Sequence, residues 1–191
     1  MAREVDVRGL PCPQPVINTK KALEGIEEGT VAVLVDSAES CENVRRFAQS
    51  QGCQVEITER DGAFCLAITK EYPGQAEKKQ IGDVVLITGT QLGTGDEGFG
   101  ESLMINFINT LGEAASRPAR LIFVNSGVRL TTEGSGVLET LRRLEQEGVQ
   151  IWSCGTCLDF YHLADKLRVG IVTNSYEVVD SLLSAGKVIK I

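Results

Sequence analysis

The chain has 191 residues, 42% of them hydrophobic and 24% charged, a globular composition that excludes a disordered polymer. Its formal net charge is -7 and both halves are acidic, which disfavours nucleic-acid binding and any function built on phosphate neutralisation. No apolar run reaches the roughly 18 residues of a membrane span. Met1–Asp6 is charged from the start and shows no secretory pattern, so a cytoplasmic protein without a membrane partner is expected.

Val5–Val7 reads as a short strand, followed by a helix with Val16, Thr19, Leu23 and Ile26 on one face. Val31–Val35 is a β-branched strand, and Cys41, Val44, Phe47 and Ala48 recur at helical spacing after it. Val55–Thr58 and Phe64–Ile68 flank Asp61-Gly62 as a hairpin. This β-α-β-α-β-β order predicts two helices on one face of a mixed sheet, an α+β two-layer sandwich. The Pro-Gly break and polar run of residues 73–80 read as a linker, dividing the chain into domains 1–72 and 81–191.

Beyond the linker, strands are expected at Val84–Thr88, Leu121–Asn125, Ile151–Cys154, Gly170–Thr173 and Val188–Ile191. Helices between them are marked by Leu103–Leu111 and Val137–Leu144, then by Leu158–Leu167 and Glu177–Ser184. Short, continuously apolar strands alternating with helices predict a mainly parallel sheet covered on both faces, a three-layer α/β/α domain. The whole chain is therefore read as α/β in class.

Six cysteines stand at Cys12, Cys41, Cys53, Cys65, Cys154 and Cys157. An even count suggests disulfides only in small secreted chains short of core, so reduced thiols are expected. His162 is the single histidine, which excludes a multi-His metal centre. Two cysteine settings carry chemistry. In Asp6-Val7-Arg8-Gly9-Leu10-Pro11-Cys12-Pro13-Gln14-Pro15, placing Cys12 at a helix N-cap puts Pro13 and Pro15 in the first turn, where a missing N–H costs nothing. The Gln14 N–H is then expected to face the sulfur, and with the helix dipole to favour a thiolate nucleophile.

The Asp-x-Arg-Gly-Leu-x-Cys-Pro-x-Pro run resembles the TusA/SirA-like family of small sulfur carriers over about the first 70 residues. The resemblance implies that Cys12 accepts sulfur as a persulfide and passes it on, with Arg8, Gly9, Pro13, Gln14 and Pro15 as supporting residues. The remainder looks like a DsrE-type domain, and the pairing is similar to the YedF-like family, whose members are described as sulfurtransferase-like and linked to selenium metabolism. A cysteine desulfurase or other persulfide donor, and a protein accepting sulfur or selenium, are the partners so implied, with a homo-oligomer as a further candidate.

The second setting is Ile151-Trp152-Ser153-Cys154-Gly155-Thr156-Cys157, where a strand enters a Cys-x-x-Cys and then a helix. In open parallel sheets, chemistry gathers beyond the carboxyl ends of the strands. Cys154 and Cys157 are read as a dithiol that carries or releases sulfur, with Asn125 and Ser126 on the same sheet edge as supports. A zinc site with His162 lacks a fourth ligand, so no metal and no cofactor are expected. Gly93-x-Gly95-x-x-Gly98 has dinucleotide-loop spacing, but Asp96 and Glu97 would oppose a pyrophosphate. Cys41, Cys53 and Cys65 are read as structural. Two alternatives stand beside the sulfur carrier: a dithiol redox protein cycling Cys154 and Cys157, and a non-enzymatic regulatory binding module.

Overall fold

A computed structural model describes residues 3–60, 62–71 and 81–191. They form two compact units, one from the residues before the stretch 72–80 and one from those after it apart from Ser175–Glu177. The expected linker at 73–80 lies outside the described residues.

In the first unit, β1 (Arg3–Asp6), α1 (Gln14–Glu24), β2 (Gly29–Val35), α2 (Ala38–Ser50), β3 (Gln54–Arg60) and β4 (Ala63–Lys70) follow in order. The sheet order is β1-β2-β4-β3, with β1 parallel to β2 and both β2 and β3 antiparallel to β4. Alternation sets the register: Val33 lies opposite Val5 on one side and Leu66 on the other, and Val31, Val33 and Val35 are fully buried. Val16 and Leu23 of α1 and Val44, Phe47 and Ala48 of α2 close that face. Each fully buried Val, Leu or Phe contributes about 1.5–3 kcal/mol. The Ser37 hydroxyl caps α2 by accepting the Ser40 N–H at 3.1 Å. Lys70 Nζ donates to the Leu23 and Ile26 carbonyls at 2.8 Å each, satisfying the end of α1. That helix stops at Glu24, so Ile26 lies beyond the helical face predicted for it. The β3–β4 hairpin is present; Asp61 of its expected turn lies outside the described residues.

The second unit runs β5 (Val84–Ile87), α3 (Glu97–Glu113), β6 (Arg120–Phe123), a 3-10 turn (Asn125–Thr131), α4 (Leu138–Gln146), β7 (Gln150–Cys154) and α5 (Gly155–Phe160). A short 3-10 turn (Ala164–Lys166), β8 (Ile171–Thr173), α6 (Ser175–Ser184, in this unit from Val178 on) and β9 (Val188–Lys190) complete it. All five strands are parallel in the order β8-β7-β6-β5-β9. Right-handed crossovers in this order put α3 and α4 on one face and α6 on the other. Met104, Ile108, Leu141, Leu144 and Leu158 pack on Leu121, Phe123 and Ile151. On the opposite face, the Ser181 hydroxyl accepts from Arg120 at 2.6 Å. No helix among the described residues is long and apolar enough to cross a membrane.

One expected helix is corrected. The apolar spacing of Leu158–Leu167 predicts a continuous helix, but α5 ends at Phe160. Leu163 N–H returns to the Leu158 carbonyl at 2.8 Å, and His162 N–H to that of Asp159 at 3.0 Å. His162 takes the left-handed conformation between them, with φ 55°. This is the Schellman termination, normally built with glycine, which is why the sequence gives no stop signal there.

Gly170 enters β8 at φ 79°, and a Cβ added to it would overlap the Ile151 carbonyl oxygen. Gly170→Ala is expected to cost the second unit about 2–4 kcal/mol, combining a forbidden backbone region with a backbone clash. Denaturant titration checks this, and a loss under about 1 kcal/mol would mean that the β7–β8 edge yields freely.

Candidate functional site

Cys12 sits at the end of a loop pinned at several points. The Val7 N–H donates to the Leu34 carbonyl at 3.0 Å, holding the loop's start against β2. Gly9, at φ 71°, donates its N–H to Asp36 Oδ2 at 2.6 Å. The Arg8 guanidinium grips both oxygens of Asp6 at 2.9 and 2.6 Å, and the Arg8 N–H adds a bond at 3.1 Å. Those Arg8 hydrogen bonds hold the Asp6 carboxyl down to about 2. A depressed carboxyl stabilises the folded loop above its unfolded value near pH 4, and that contribution is lost as pH falls toward 2.

The expected role of Gln14 is corrected. Its N–H is not left free for the sulfur: it donates to the Pro11 carbonyl at 2.9 Å, closing a turn over Pro11–Gln14. Pro13, not Cys12, is the N-cap of α1, and Pro15 is the second helical residue. With Pro13 and Pro15 lacking N–H groups, the nearest carbonyl behind Gln14 captures its one donor. Cys12 therefore lies half-buried one residue outside the helix, still beside its N-terminal end.

Asp36 is the residue that sequence reasoning missed. It lies 27 residues from Gly9, yet β1 and β2 are paired parallel and their ends leave the sheet together. Its signal was its place directly after β2, where a carboxylate can reach a neighbouring loop's free N–H.

In the second unit, Cys154 ends β7 and is buried, while Cys157 is the third residue of α5 and half-buried. The turn leaving β6 brings Asn125 to Cys157: its N–H donates to Sγ at 3.1 Å. Asn125 is left-handed at φ 51°, a conformation Asn tolerates better than most residues. Its side-chain oxygen accepts the Tyr161 hydroxyl at 2.8 Å, and the Arg129 guanidinium lies 4.7 Å from the Tyr161 ring centre. A sulfur anion at Cys157 would find that backbone N–H already facing it. Ser126, the next residue of the same turn, is half-buried. Tyr161 and Arg129 are further residues the sequence did not single out, since only the folded turn sets them beside Asn125.

The glycine-rich loop leaves β5 on the same sheet edge. Asp96 caps α3, its carboxylate accepting the Phe99 N–H at 2.8 Å, so a carboxylate occupies the helix end where a phosphate would sit. His162 is exposed in the turn that ends α5. No group of three or more His, Cys, Asp or Glu side chains among the described residues is placed to hold a metal ion. Cys41 and Cys53 are buried, and burial pushes both thiols up.

A family model described as Sulfurtransferase TusA matches residues 3–70. A candidate sulfur carrier protein of Methanocaldococcus jannaschii is 40% identical over 70 residues, which are 36% of this chain and 93% of that one. The crystal structure of a SirA-like protein from Desulfitobacterium hafniense, 39% identical, covers 35% of this chain and 93% of that chain with a TM-score of 0.34. The ychN protein from E. coli, 20% identical, covers 58% of this chain and 99% of that chain with a TM-score of 0.46. Through residues 3–70, which hold Cys12 and the loop that positions it, the chain belongs to the TusA sulfurtransferase family.

Proposed function

We propose that the protein relays sulfur as a persulfide on Cys12. The Cys12 thiolate attacks the terminal sulfur of a donor persulfide, such as that of a cysteine desulfurase. The donor's S–S bond breaks, its cysteine leaves as a thiolate, and Cys12 holds the extra sulfur until an acceptor attacks it in turn. No oxidant is consumed. The observation that carries this reading is the setting of Cys12, a half-buried thiol beside a helix N-terminus, in a loop held by Asp36 and the Asp6–Arg8 pair.

The working division is a carrier domain at 1–72, a linker at 73–80 and a DsrE-like domain at 81–191. The second is read as DsrE-like on its Cys-x-x-Cys at the carboxyl edge of a parallel sheet. Cys154 and Cys157 serve there as a second sulfur station. Selenium in the same oxidation state would move by the same displacement, and a role in selenium metabolism is part of this reading. The cytoplasm, where thiols stay reduced, suits it.

Intact mass measurement after incubation with a cysteine desulfurase and cysteine tests the proposal. The Cys12 peptide is expected to gain steps of about 32 Da, one sulfur atom each, that a thiol reductant removes. Cys12→Ser is expected to abolish loading of the first domain. Equal loading of the wild type and this variant would sink the carrier reading.

A further inference from the structure

The second unit holds a cavity of about 340 Å³ that none of the chemistry above uses. Thr90, Glu101, Ile105, Arg129, Glu133 and Leu163 line it, so its wall is part apolar and part charged. That volume falls in the range of small-molecule sites and suits a ligand between an amino acid and a short peptide in size. Glu133 is spoken for by Arg168 at 3.1 Å. Among the described residues, Arg129 and Glu101 have no ion-pair partner, leaving one cation and one carboxylate open to the cavity. Cys157 itself stands outside the lining and is linked to it through Arg129, which lies over the Tyr161 ring, whose hydroxyl donates to Asn125, whose N–H donates to Cys157 Sγ.

We propose that this cavity binds a low-molecular-weight thiol bearing both a carboxylate and an ammonium group, the small-molecule acceptor for sulfur on Cys157. Arg129 takes the carboxylate, Glu101 the ammonium, and Ile105 and Leu163 the carbon stem. Both charged groups are exposed, so they favour a ligand of matching charge only by the modest worth of solvent-screened ion pairs. The proposal rests on the reading of Cys157 as a sulfur station. In the transfer, the bound thiolate attacks the terminal sulfur of the Cys157 persulfide. The bond between that sulfur and Cys157 Sγ breaks, its electron pair stays on Sγ as a thiolate, and the ligand leaves as a persulfide.

Binding and transfer are tested separately on the full chain. S-methyl-L-cysteine cannot accept sulfur, so it reads the cavity alone. It is expected to shift the amide resonances of Thr90 and of residues 130–136 saturably, with a dissociation constant on the order of 1–10 mM for a ligand of about eight heavy atoms. Analogues lacking the ammonium (3-(methylthio)propionate) or the carboxylate (2-(methylthio)ethylamine) should bind about three- to fivefold more weakly, the worth of one partly exposed ion pair. Arg129→Gln should remove the preference for the carboxylate, and Glu101→Gln that for the ammonium. Equal shifts from all three analogues, or no saturable shift, would overturn the site. In the second arm, chain carrying persulfide sulfur is mixed with L-cysteine, and Arg129→Gln should slow sulfur release by the same factor. Zwitterion-selective binding with no sulfur ever found on Cys157 would refute the station while upholding the cavity as a zwitterion site. Release from Cys157 without selective binding would refute the cavity and keep the station.

Discussion

Iodoacetamide at neutral pH should alkylate Cys12 at least about tenfold faster than Cys41 or Cys53, because alkylation needs both a thiolate and access. Cys41 and Cys53 lack both. They are buried in the first unit's core, and burial pushes their thiols up. Cys12 is half-buried on a loop. Peptide-resolved labelling rates provide the measurement, and a Cys12 no faster than the two core cysteines would remove the physical ground for a carrier. The same upward shifts carry a stability consequence. A thiol whose folded value is raised stabilises the fold fully while the unfolded thiol is also protonated. That contribution fades as pH rises above about 8.5, where the unfolded cysteine begins to ionise. Cys41→Ala or Cys53→Ala should therefore flatten the loss of stability at alkaline pH, even where it lowers stability near neutrality.

The elements were legible where one local rule governs them. Val31–Val35 and Phe64–Ile68 read as strands because β-branched and aliphatic side chains alternate against a covered face. The five parallel strands of the second unit read from apolar runs too short for helices. Legibility failed where two local rules compete. At Gln14, an N-cap geometry and a Pro11–Gln14 turn both satisfy the prolines, and the turn takes the donor. At His162, helical apolar spacing continues past the point where Leu163 doubles back to Leu158. A left-handed histidine leaves no composition signal, as glycine would. Of the candidate site, what can be read from the end of a strand was visible, which is how Asn125 came to be placed on the edge with Cys157. What depends on the pairing of distant segments was not. Asp36 reaches Gly9 only because β1 and β2 run side by side, and Tyr161 reaches Asn125 only because α5 stops where it does.

The two cysteines of the second unit should separate sharply on mutation. After loading by a persulfide donor, Cys157→Ser is expected to lower persulfide sulfur in the 151–163 segment by about tenfold or more, whereas Cys154→Ala should leave it within about twofold. Burial decides the direction. Cys154 keeps 7% of its surface exposed at the end of β7, packed among Ile151, Leu158 and their neighbours, and adding a sulfur atom there would crowd a closed core. Cys157 is half-buried, with the Asn125 N–H at 3.1 Å from its sulfur. Alanine at 154 changes the buried volume little, and both variants should fold, which near-ultraviolet circular dichroism verifies alongside the loading. The reverse pattern, with loading lost in Cys154→Ala and kept in Cys157→Ser, would move the station to the buried thiol. Loss in both, with only a Cys154–Cys157 disulfide in the wild type, would favour dithiol redox chemistry. The carrier reading predicts neither, because a displacement that moves sulfur from thiol to thiol needs one accessible sulfur at each stop and no electron acceptor.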